Sequence, residues 1–395
     1  MEQKLLENIT VVEVASFLTA PFATSMMGDL GADVIKVESP AGDITRGVGP
    51  KVGGMSAYFA SINRNKRPVT LNLKSDEGKA VFRDIVEQAD VLVENLKAGT
   101  MDRFGLGYDD MSEINNNLVY CSIKGFHSDS QYGDMPAMDL MMQGMSGTMS
   151  VTGEEDGPPV NSWVPIGDFA PSMYACQSIL AALYARDVGN NGGKYIEVPM
   201  LDTLISWTSA RMAYSFATEK PYPRGKFHTG MAPFGTLETA DSYIVITVSS
   251  DALWPRLCRA IDREDLIDDE RFKNNMNRVE NSDELYSILG NELEAKTTEE
   301  WFELMREYEV PAAPVYDTLD MWDDPYIQER DLRARVPRED EDEQLDILES
   351  PVEFDGERPS IRIPPKNHGA DTEQILSEYG YSQDKIRELK ENDVI

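Results

Sequence analysis

The chain has 395 residues, of which 41% are hydrophobic, so it is long and apolar enough for two or three globular domains. It carries 70 Asp and Glu against 37 Lys and Arg, a formal net charge of −33. Such a field repels nucleic acid and anionic membranes, which argues against both as partners. The excess is spread along the chain and favours adaptation to high salt, although an ordinary acidic enzyme remains the alternative.

The first half of the chain alternates strand and helix patterns. Strands are predicted at "ITVVEVAS", "ADVIKVES", "RPVTLNL", "DVLVEN" and "LVYCSIKGF". Helices are predicted at "PFATSMMGDLG" and at "SDEGKAVFRDIVEQA", the second with Ser75 as its N-cap. The alternation predicts an α/β fold with a parallel sheet covered by helices on both faces.

The middle of the chain changes character. The Met-rich segment 139–151 is interpreted as flexible core filling. Helices are predicted at 168–187 and 200–217, and the Pro- and Gly-rich segment 218–236 is interpreted as a linker or an active-site loop. "DSYIVITVSS" then opens a second unit, and the tail 345–395 is predicted to contain two short strands and two helices.

No stretch approaches the roughly 18 apolar residues of a membrane span, and the acidic N-terminal segment does not resemble a secretory signal. We therefore expect a cytoplasmic protein. The three cysteines and three histidines lie far apart in the sequence, which argues against a disulfide framework and against a metal site.

The familiar catalytic motifs are missing from the sequence. The first turn, "ASFLTAPFATS", lacks the G-x-G-x-x-G pattern of dinucleotide-binding enzymes, and there is no P-loop. "GMSGT" does not match the G-x-S-x-G elbow of serine hydrolases. A Cys–His nucleophile pair stays open, but no pattern indicates one.

Carboxylate chemistry is a further possibility. Asp168 stands in "WVPIGDFAPSMYACQSILAAL", between an apolar run and a helical pattern. A carboxylate is ionised near neutral pH and can act as a nucleophile without a base. Asp is also a common helix N-cap, and the local pattern leaves both interpretations open.

Several phrases, taken in order, resemble the class III CoA-transferases, the formyl-CoA and carnitine CoA-transferase family. The resemblance covers essentially the whole chain and is carried by "LGADVIKVESPAGDITR", "INRNKRPVTLNLKSDEGK", "ADVLVENLKAGTMDRFGLGY", "VPIGDF", "APFGTLETADSYIVITV", "VPAAPV" and "ILSEYGYSQDKIRELKENDVI".

The resemblance implies a large Rossmann-like, CoA-binding domain formed by both chain ends, here 1–217 and 330–395. A linker and a smaller central α/β domain would occupy 218–329. Two such chains would interlock as a homodimer.

The resemblance also implies a mechanism. Asp168 matches the family's nucleophile, which attacks an acyl-CoA thioester to give an acyl-aspartyl anhydride and then an aspartyl-CoA thioester. No metal and no permanently bound cofactor would be needed, and coenzyme A thioester would be a substrate. The segment "GKFHTGMAPFG" would correspond to the loop that excludes water.

Positions matching the family's CoA site lie in the first turn, in "LNLK", in "ENLK", in "MDRFG" and beside the active site. Among them, Lys74, Lys97 and Arg103 offer positive charge to the phosphates, although each could instead be a solvated surface charge. The full set implied by the resemblance is Phe17, Leu18, Thr19, Leu71, Asn72, Leu73, Lys74, Asn95, Leu96, Lys97, Arg103, Ala137, Met138 and Asp139.

Some positions depart from the family pattern. Ser39 replaces an Arg found near the adenine in many members, and Leu18 replaces a Gln of formyl-CoA transferases. Both departures argue against a formyl-CoA/oxalate enzyme. Related racemases have a His where this chain has Met138, which disfavours that alternative because a thioether accepts no proton. A catalytically silent CoA-binding protein also remains open.

A dicarboxylate acceptor would need a fixed cation for its distal carboxylate. Arg46 is the first candidate, ahead of the cluster Arg64, Lys66 and Arg67, and His228 is a candidate gate or ligand. With the acidic composition, the resemblance leads us to expect transfer between succinyl-CoA and mesaconate or a related C4–C5 dicarboxylate.

Overall fold

The computed structural model describes residues 4–189, 191–338 and 341–395. The chain forms two compact units. The first contains the N-terminal segment through Thr148, the stretch Asn161–Ala210 and the C-terminal segment from Asp331. The second contains Met149–Val160 and Arg211–Arg330.

Parallel strands form the centre of the first unit. Within the described residues six of them form one sheet, in the spatial order Lys66–Thr70 (β5), Asp33–Glu38 (β2), Thr10–Val14 (β1), Val91–Glu94 (β6), Val119–Lys124 (β7) and Lys194–Pro199 (β8). The chain starts in the middle at β1, moves outward through β2 and β5, and then returns to the other side of β1, as in doubly wound dinucleotide-binding folds. The strands of the two units are β1 Thr10–Val14, β2 Asp33–Glu38, β3 Lys51–Val52, β4 Met55–Ser56, β5 Lys66–Thr70, β6 Val91–Glu94, β7 Val119–Lys124, β8 Lys194–Pro199, β9 Phe234–Glu238, β10 Tyr243–Thr247, β11 Ala312–Pro314, β12 Arg333–Arg338 and β13 Glu341–Leu348.

Helices connect and cover these strands. None of the helices in the described ranges is long and apolar enough to cross a membrane. They are α1 Thr19–Asp29, α2 Ala57–Ile62, α3 Asp76–Glu87, α4 Thr100–Phe104, α5 Tyr108–Ile114, α6 Asp139–Met145, α7 Ile166–Gly189, α8 Met200–Trp207, α9 Ser209–Thr218, α10 Trp254–Ala260, α11 Asn275–Glu280, α12 Ser282–Leu293, α13 Thr298–Glu307, α14 Pro325–Arg330, α15 Thr372–Glu378 and α16 Gln383–Glu391.

Both faces of the sheet are buried, which explains why its strands are apolar without strict alternation. On β1, Val11 belongs to a core with residues of α1 and α7. Its neighbours Val12 and Val14 belong to a second core, with α3 and the C-terminal helices α15 and α16. The predicted parallel sheet with helices on both faces is confirmed.

The second unit contains a three-stranded antiparallel sheet in the order β11-β10-β9. Its core holds the large side chains of Trp254 and Trp301, each nearly inaccessible to solvent. The indole N–H groups donate to backbone carbonyls, Trp254 to Leu266 and Trp301 to Leu293, so neither buried polar group is left unpaired.

Several predicted boundaries were wrong. β5 ends at Thr70, and "LNL" continues as a loop. The helix predicted at 200–217 is broken at Thr208 into α8 and α9. The strands predicted in the tail correspond to the antiparallel pair β12 and β13, which begins earlier, at Arg333. The predicted N-cap Ser75 is confirmed, since its hydroxyl accepts a hydrogen bond from the Gly78 N–H at 3.0 Å.

The Met-rich segment is only partly core. Met142 and Gln143 on α6 are fully buried, but Leu140 and Met145 are about half exposed, at 47% and 46%. The interpretation of this segment as flexible core filling holds for Met142 and was wrong for its exposed positions, because a short helix with one buried face exposes its remaining side chains.

Candidate functional site

The turn between β1 and α1 lies where the strand order reverses. Phe17 in this turn has φ of +63°, a left-handed conformation that is uncommon for a bulky residue. Asn95, just after β6, holds the turn through both backbone groups of Ser16: its Nδ2 donates to the carbonyl at 2.8 Å and its Oδ1 accepts from the N–H at 3.1 Å. The crevice at the carboxyl ends of β1 and β6 is where open α/β sheets bind ligands.

A cavity of about 620 Å³ opens at these strand ends. One wall is formed by Phe17 and its neighbours, a second by the loop from Glu38 to Ile44, and a third by Leu71–Lys74. Leu96 and Phe104 complete the lining. The walls are largely apolar with Lys74 at the edge, a composition that suits a nucleotide base beside a phosphate.

The predicted CoA residues therefore divide into groups. Phe17, Leu71–Lys74 and Leu96 line the cavity. Lys97 and Arg103 are exposed, and Arg103 Nη2 donates to Thr100 Oγ1 at 2.8 Å. Leu18 is buried, and Ala137 and Met138 lie just before α6.

Thr19, the first residue of α1, has a contact that the sequence did not indicate. Its hydroxyl donates to Asp168 Oδ1 at 2.5 Å. The two helices are joined a second time by Ser172, whose hydroxyl is within hydrogen-bond distance of the carbonyls of Thr19 and Asp168, at 2.6 and 2.7 Å. The start of α1 therefore fixes the Asp168 carboxylate through Thr19, which follows the cavity-lining Phe17 by two positions.

Asp168 lies in the first turn of α7, which begins two residues earlier, at Ile166. It is therefore not the N-cap of this helix. Asp139 of α6 performs that role instead, since its Oδ1 accepts a hydrogen bond from the Gly167 N–H at 2.7 Å. Gly167 allows this approach, because a Cβ there would lie 2.8 Å from the same oxygen.

Burial raises the pKa of Asp168 to about 6. The hydrogen bond from Thr19 opposes this rise, and the negative charge of Asp139 adds to it. The carboxylate remains mostly ionised at neutral pH and is more basic than an exposed Asp. Both properties suit a nucleophile.

Tyr58 on α2 is a neighbour that the sequence did not single out. Burial raises its pKa to about 12, and the charges of Asp168, Asp43 and Asp139 contribute to the rise. The phenol is therefore a neutral O–H group close to the candidate nucleophile. Nothing in the local sequence around Tyr58 indicates this proximity, because the chain reaches Asp168 only 110 positions later.

Arg46 makes contacts within the first unit through all three nitrogens of its guanidinium. Its Nε and Nη2 donate to the two oxygens of Glu38 at 2.8 and 2.5 Å, and Nη1 donates to the Lys366 carbonyl at 3.0 Å. The group also lies over the Phe59 ring, 3.8 Å from its centroid. Binding of a distal carboxylate by Arg46 would compete with Glu38, and it stays a prediction.

The alternative cationic cluster is also engaged. Arg64 forms a two-pronged ion pair with Asp29, at 2.9 and 2.5 Å. Arg67 pairs with Asp33 and Glu378. Lys66 is fully buried against Glu13, and burial lowers its pKa to about 8 in spite of that charge.

His228 belongs to the second unit. Its Nδ1 accepts a hydrogen bond from the Gly230 N–H at 3.0 Å. Burial and the charge of Arg211 lower its pKa, so the ring is neutral at pH 7. The segment around it is fixed to the unit's helices, as Asn275 bonds both Gly230 and Ala232. A role as gate or ligand stays a prediction.

In the part of the chain that the structure describes, no three His, Cys, Asp or Glu side chains are arranged to hold an ion.

Comparison with known proteins agrees with this geometry. Residues 6–372 match the model of CoA-transferase family III. The chain is 36% identical to a succinyl-CoA:mesaconate CoA-transferase of Haloarcula marismortui, over 90% of this chain and 91% of that protein. It is 32% identical to the human succinyl-CoA:glutarate CoA-transferase, over 95% of this chain and 86% of that protein.

The fold has a close counterpart among solved structures. A CAIB/BAIF family protein from Brucella suis superimposes with a TM-score of 0.86 and is 31% identical, covering 96% of this chain and all of that one. The doubly wound sheet, the cavity at its switch point and the sequence similarity define an enzyme that acts on CoA thioesters. The chain belongs to CoA-transferase family III.

Proposed function

We propose that this enzyme moves CoA from succinyl-CoA to a C4–C5 dicarboxylate, with mesaconate as the leading acceptor, through covalent intermediates on Asp168. The observation that carries the proposal is the half-buried Asp168 carboxylate, which accepts a hydrogen bond from Thr19. Thr19 follows Phe17 by two positions, and Phe17 lines a cavity suited to a nucleotide. The relatives named for succinyl-CoA:mesaconate and succinyl-CoA:glutarate transfer support a dicarboxylate as acceptor.

In the first half-reaction an Asp168 oxygen attacks the thioester carbonyl carbon. The C–S bond breaks, and CoA leaves as a thiolate, which gives a succinyl-aspartyl anhydride. The thiolate then attacks Cγ of Asp168, and the C–O bond of the anhydride breaks. Succinate departs, and an aspartyl-CoA thioester remains on the enzyme. The activation of the acyl group is thereby retained in a covalent bond.

The second half-reaction repeats these steps in reverse order. The acceptor carboxylate attacks Cγ of Asp168 and expels the thiolate, which forms the acceptor–aspartyl anhydride. The thiolate attacks the acceptor acyl carbon, and Asp168 leaves as a free carboxylate. No proton is gained or lost overall, so a general base is not required. Water must be excluded from the site, because anhydrides hydrolyse.

The proposal includes the CoA contacts. The adenosine part would occupy the cavity between the Glu38–Ile44 loop and Leu71–Lys74, with Lys74, Lys97 and Arg103 near the phosphates. The pantetheine would pass Phe17 and Leu96 to place the sulfur near Asp168. The homodimer implied by the resemblance remains part of the proposal.

Trapping tests the covalent step. The enzyme is incubated with succinyl-CoA and then with borohydride, and the modified peptide is located by mass spectrometry. We expect reduction at Asp168, no transfer by Asp168→Ala, and full transfer by Asp187→Asn on the exposed far end of the same helix. Full transfer by Asp168→Ala would refute the mechanism.

An acceptor screen tests the substrate. Succinyl-CoA is offered with mesaconate, glutarate, oxalate, formate and monocarboxylates in molar KCl, and new thioesters are identified by mass spectrometry. We expect C4–C5 dicarboxylates to have the highest kcat/KM. Preference for oxalate or a monocarboxylate would refute this specificity, and solvent deuterium entering the α-carbon without transfer would indicate a racemase.

A further inference from the structure

Gln143 is fully buried, and its side-chain amide makes four hydrogen bonds, to Asp139 on α6 and to Ser162 just before α7. Its Nε2 donates to both oxygens of Asp139, at 3.0 and 2.8 Å, and to the Ser162 carbonyl at 3.0 Å. Its Oε1 accepts from the Ser162 N–H at 2.8 Å. An amide fits these partners in one orientation, because a flipped group would turn its oxygen toward two carboxylate oxygens.

The partners of Gln143 are the two segments that fix the first turn of α7. Asp139 accepts the Gly167 N–H and so caps the helix one residue before Asp168. Ser162 lies in the chain that leads into the helix, three residues before Pro165, whose carbonyl accepts from the Asp168 and Phe169 N–H groups at 3.0 Å each. Gln143 therefore links the cap of the helix to the chain that enters it.

We infer that Gln143 is a positioning residue for the transfer reaction, fixing the Asp168 carboxylate through Asp139 and Ser162 without touching substrate. The inference rests on the proposed role of Asp168. A misplacement of about 1 Å at a reacting group costs roughly a hundredfold in rate, so losing this link should affect kcat rather than the binding of CoA, whose cavity lies on other elements.

Two variants separate positioning from packing. Gln143→Met keeps the volume but removes every hydrogen bond. Gln143→Glu introduces a carboxyl group that burial and the adjacent Asp139 keep protonated, so it can still donate one hydrogen bond until rising pH ionises it. Within the described ranges, Asp139 on α6 and Tyr58 on α2 are titratable neighbours of Asp168, and both are retained in each variant.

Asn115 provides a matched control. Its amide also joins backbone segments of the first unit, since Nδ2 donates to the carbonyls of Val86 and Ala89 at 3.1 and 2.7 Å. It precedes β7 and so lies at the amino ends of the strands, away from the cavity. Asn115→Leu should lower stability without changing the pH profile or kcat.

The test measures kcat and KM for succinyl-CoA between about pH 6 and pH 9, with thermal unfolding as the check on folding. We expect Gln143→Met to lower kcat by roughly 10- to 100-fold with KM within about threefold. Gln143→Glu should retain more activity than Gln143→Met near pH 6 and lose this advantage as pH rises. Wild-type kcat in Gln143→Met, or no pH-dependent difference between the two variants, would overturn the inference.

Asp168→Ala distinguishes a failure of the proposed function from a failure of the positioning role of Gln143. If it still transfers CoA, the proposed function fails. If it is inactive while folded Gln143→Met is as fast as wild type, only the positioning role fails. Should Gln143→Met not fold, kcat of Gln143→Glu relative to wild type decides, measured at each pH at which thermal unfolding shows the variant to be folded. A ratio of kcat values that does not change with pH would then overturn the positioning role.

Discussion

The pKa of the Asp168 carboxylate is set by opposing influences of its surroundings. Burial and Asp139 raise the pKa of Asp168, and the Thr19 hydroxyl lowers it. The balance, at about 6, keeps the group ionised at neutral pH but more basic than an exposed Asp. Transfer should therefore decline as pH falls through about 6, because the protonated acid cannot attack a thioester.

Thr19→Val should move this acidic limb to higher pH. The substitution removes a hydrogen bond to the ionised Asp168 carboxylate and so disfavours the ionised form. Such bonds contribute about 1.5 kcal/mol, which raises the pKa of Asp168 by roughly one unit. Profiles of log(kcat/KM) against pH measure the shift, and Thr19→Ser, which keeps the hydroxyl, should resemble wild type. A limb that moves to lower pH in Thr19→Val would contradict the argument.

Adjacent elements of the first unit are joined by charges that no solvent reaches. Lys36 on β2 contacts Glu13 on β1 at 2.6 Å and Asp43 at 2.9 Å, and Lys66 on β5 contacts Glu13 at 2.8 Å. Burial alone would raise the pKa of Glu13, but the two lysines lower it to about 2. Three neighbouring strands thus share one buried ionic network beneath the cavity loop.

Glu13→Gln should lower the free energy of unfolding by about 3–5 kcal/mol, because it leaves two lysines buried without their main counter-charge. Chemical denaturation at pH 7 measures the loss. Since the folded pKa of Glu13 is below its ordinary value of 4.5, its stabilising contribution is complete above pH 4.5 and disappears as pH falls toward 2. The difference between wild type and variant should shrink over that window; a constant difference would argue against the ion pairs as its cause.

Gly167→Ala should reduce transfer at least tenfold with a smaller effect on folding. The new Cβ would lie 2.8 Å from Asp139 Oδ1 and 3.1 Å from Met142 Cβ, so α6 and the start of α7 must separate. Gly290→Ala on α12 is the control, since no described atom beyond its chain neighbours and its own helix backbone lies within 4 Å of its Cβ position. That change should add about 0.5–1 kcal/mol of stability and leave kcat unchanged.

At the scale of the whole molecule, the net charge of −33 opposes the folded state through self-repulsion. Raising KCl from about 0.1 M to about 1 M shortens the Debye length from about 10 Å to about 3 Å. We expect the melting temperature to rise over this range and to rise equally in NaCl at the same ionic strength. A melting temperature that is flat or falls with salt would contradict adaptation to high salt.

Apolar side chains on the surface bear on assembly. On α7, Tyr184 and Val188 are both 70% exposed and lie one turn apart, and Trp163 is 86% exposed. We predict a dimer by sedimentation at micromolar protein, and Tyr184→Glu combined with Val188→Glu should weaken it. A monomer of wild type at that concentration would contradict the expected homodimer.

Much of this protein follows from the sequence alone. The buried strands and the Ser75 cap are local patterns, and the ordered phrases identified the family. Among the positions that the family resemblance implied for the CoA site, Phe17, Leu71–Lys74 and Leu96 line the cavity.

Tertiary structure decided the partners of those residues. Asp168 looked like a possible helix cap, and only the packing of α6 against α7 gives that role to Asp139 and frees the Asp168 carboxylate. Arg46 looked like a free cation until Glu38 was found beside it. Gln143 looked like part of a core-filling segment. Asp139 and Gly167 lie 28 positions apart, and Thr19 and Asp168 lie 149 apart. Hydrogen bonds over such separations leave no local periodicity, so the sequence determined which residues are present and the fold determined what each one contacts.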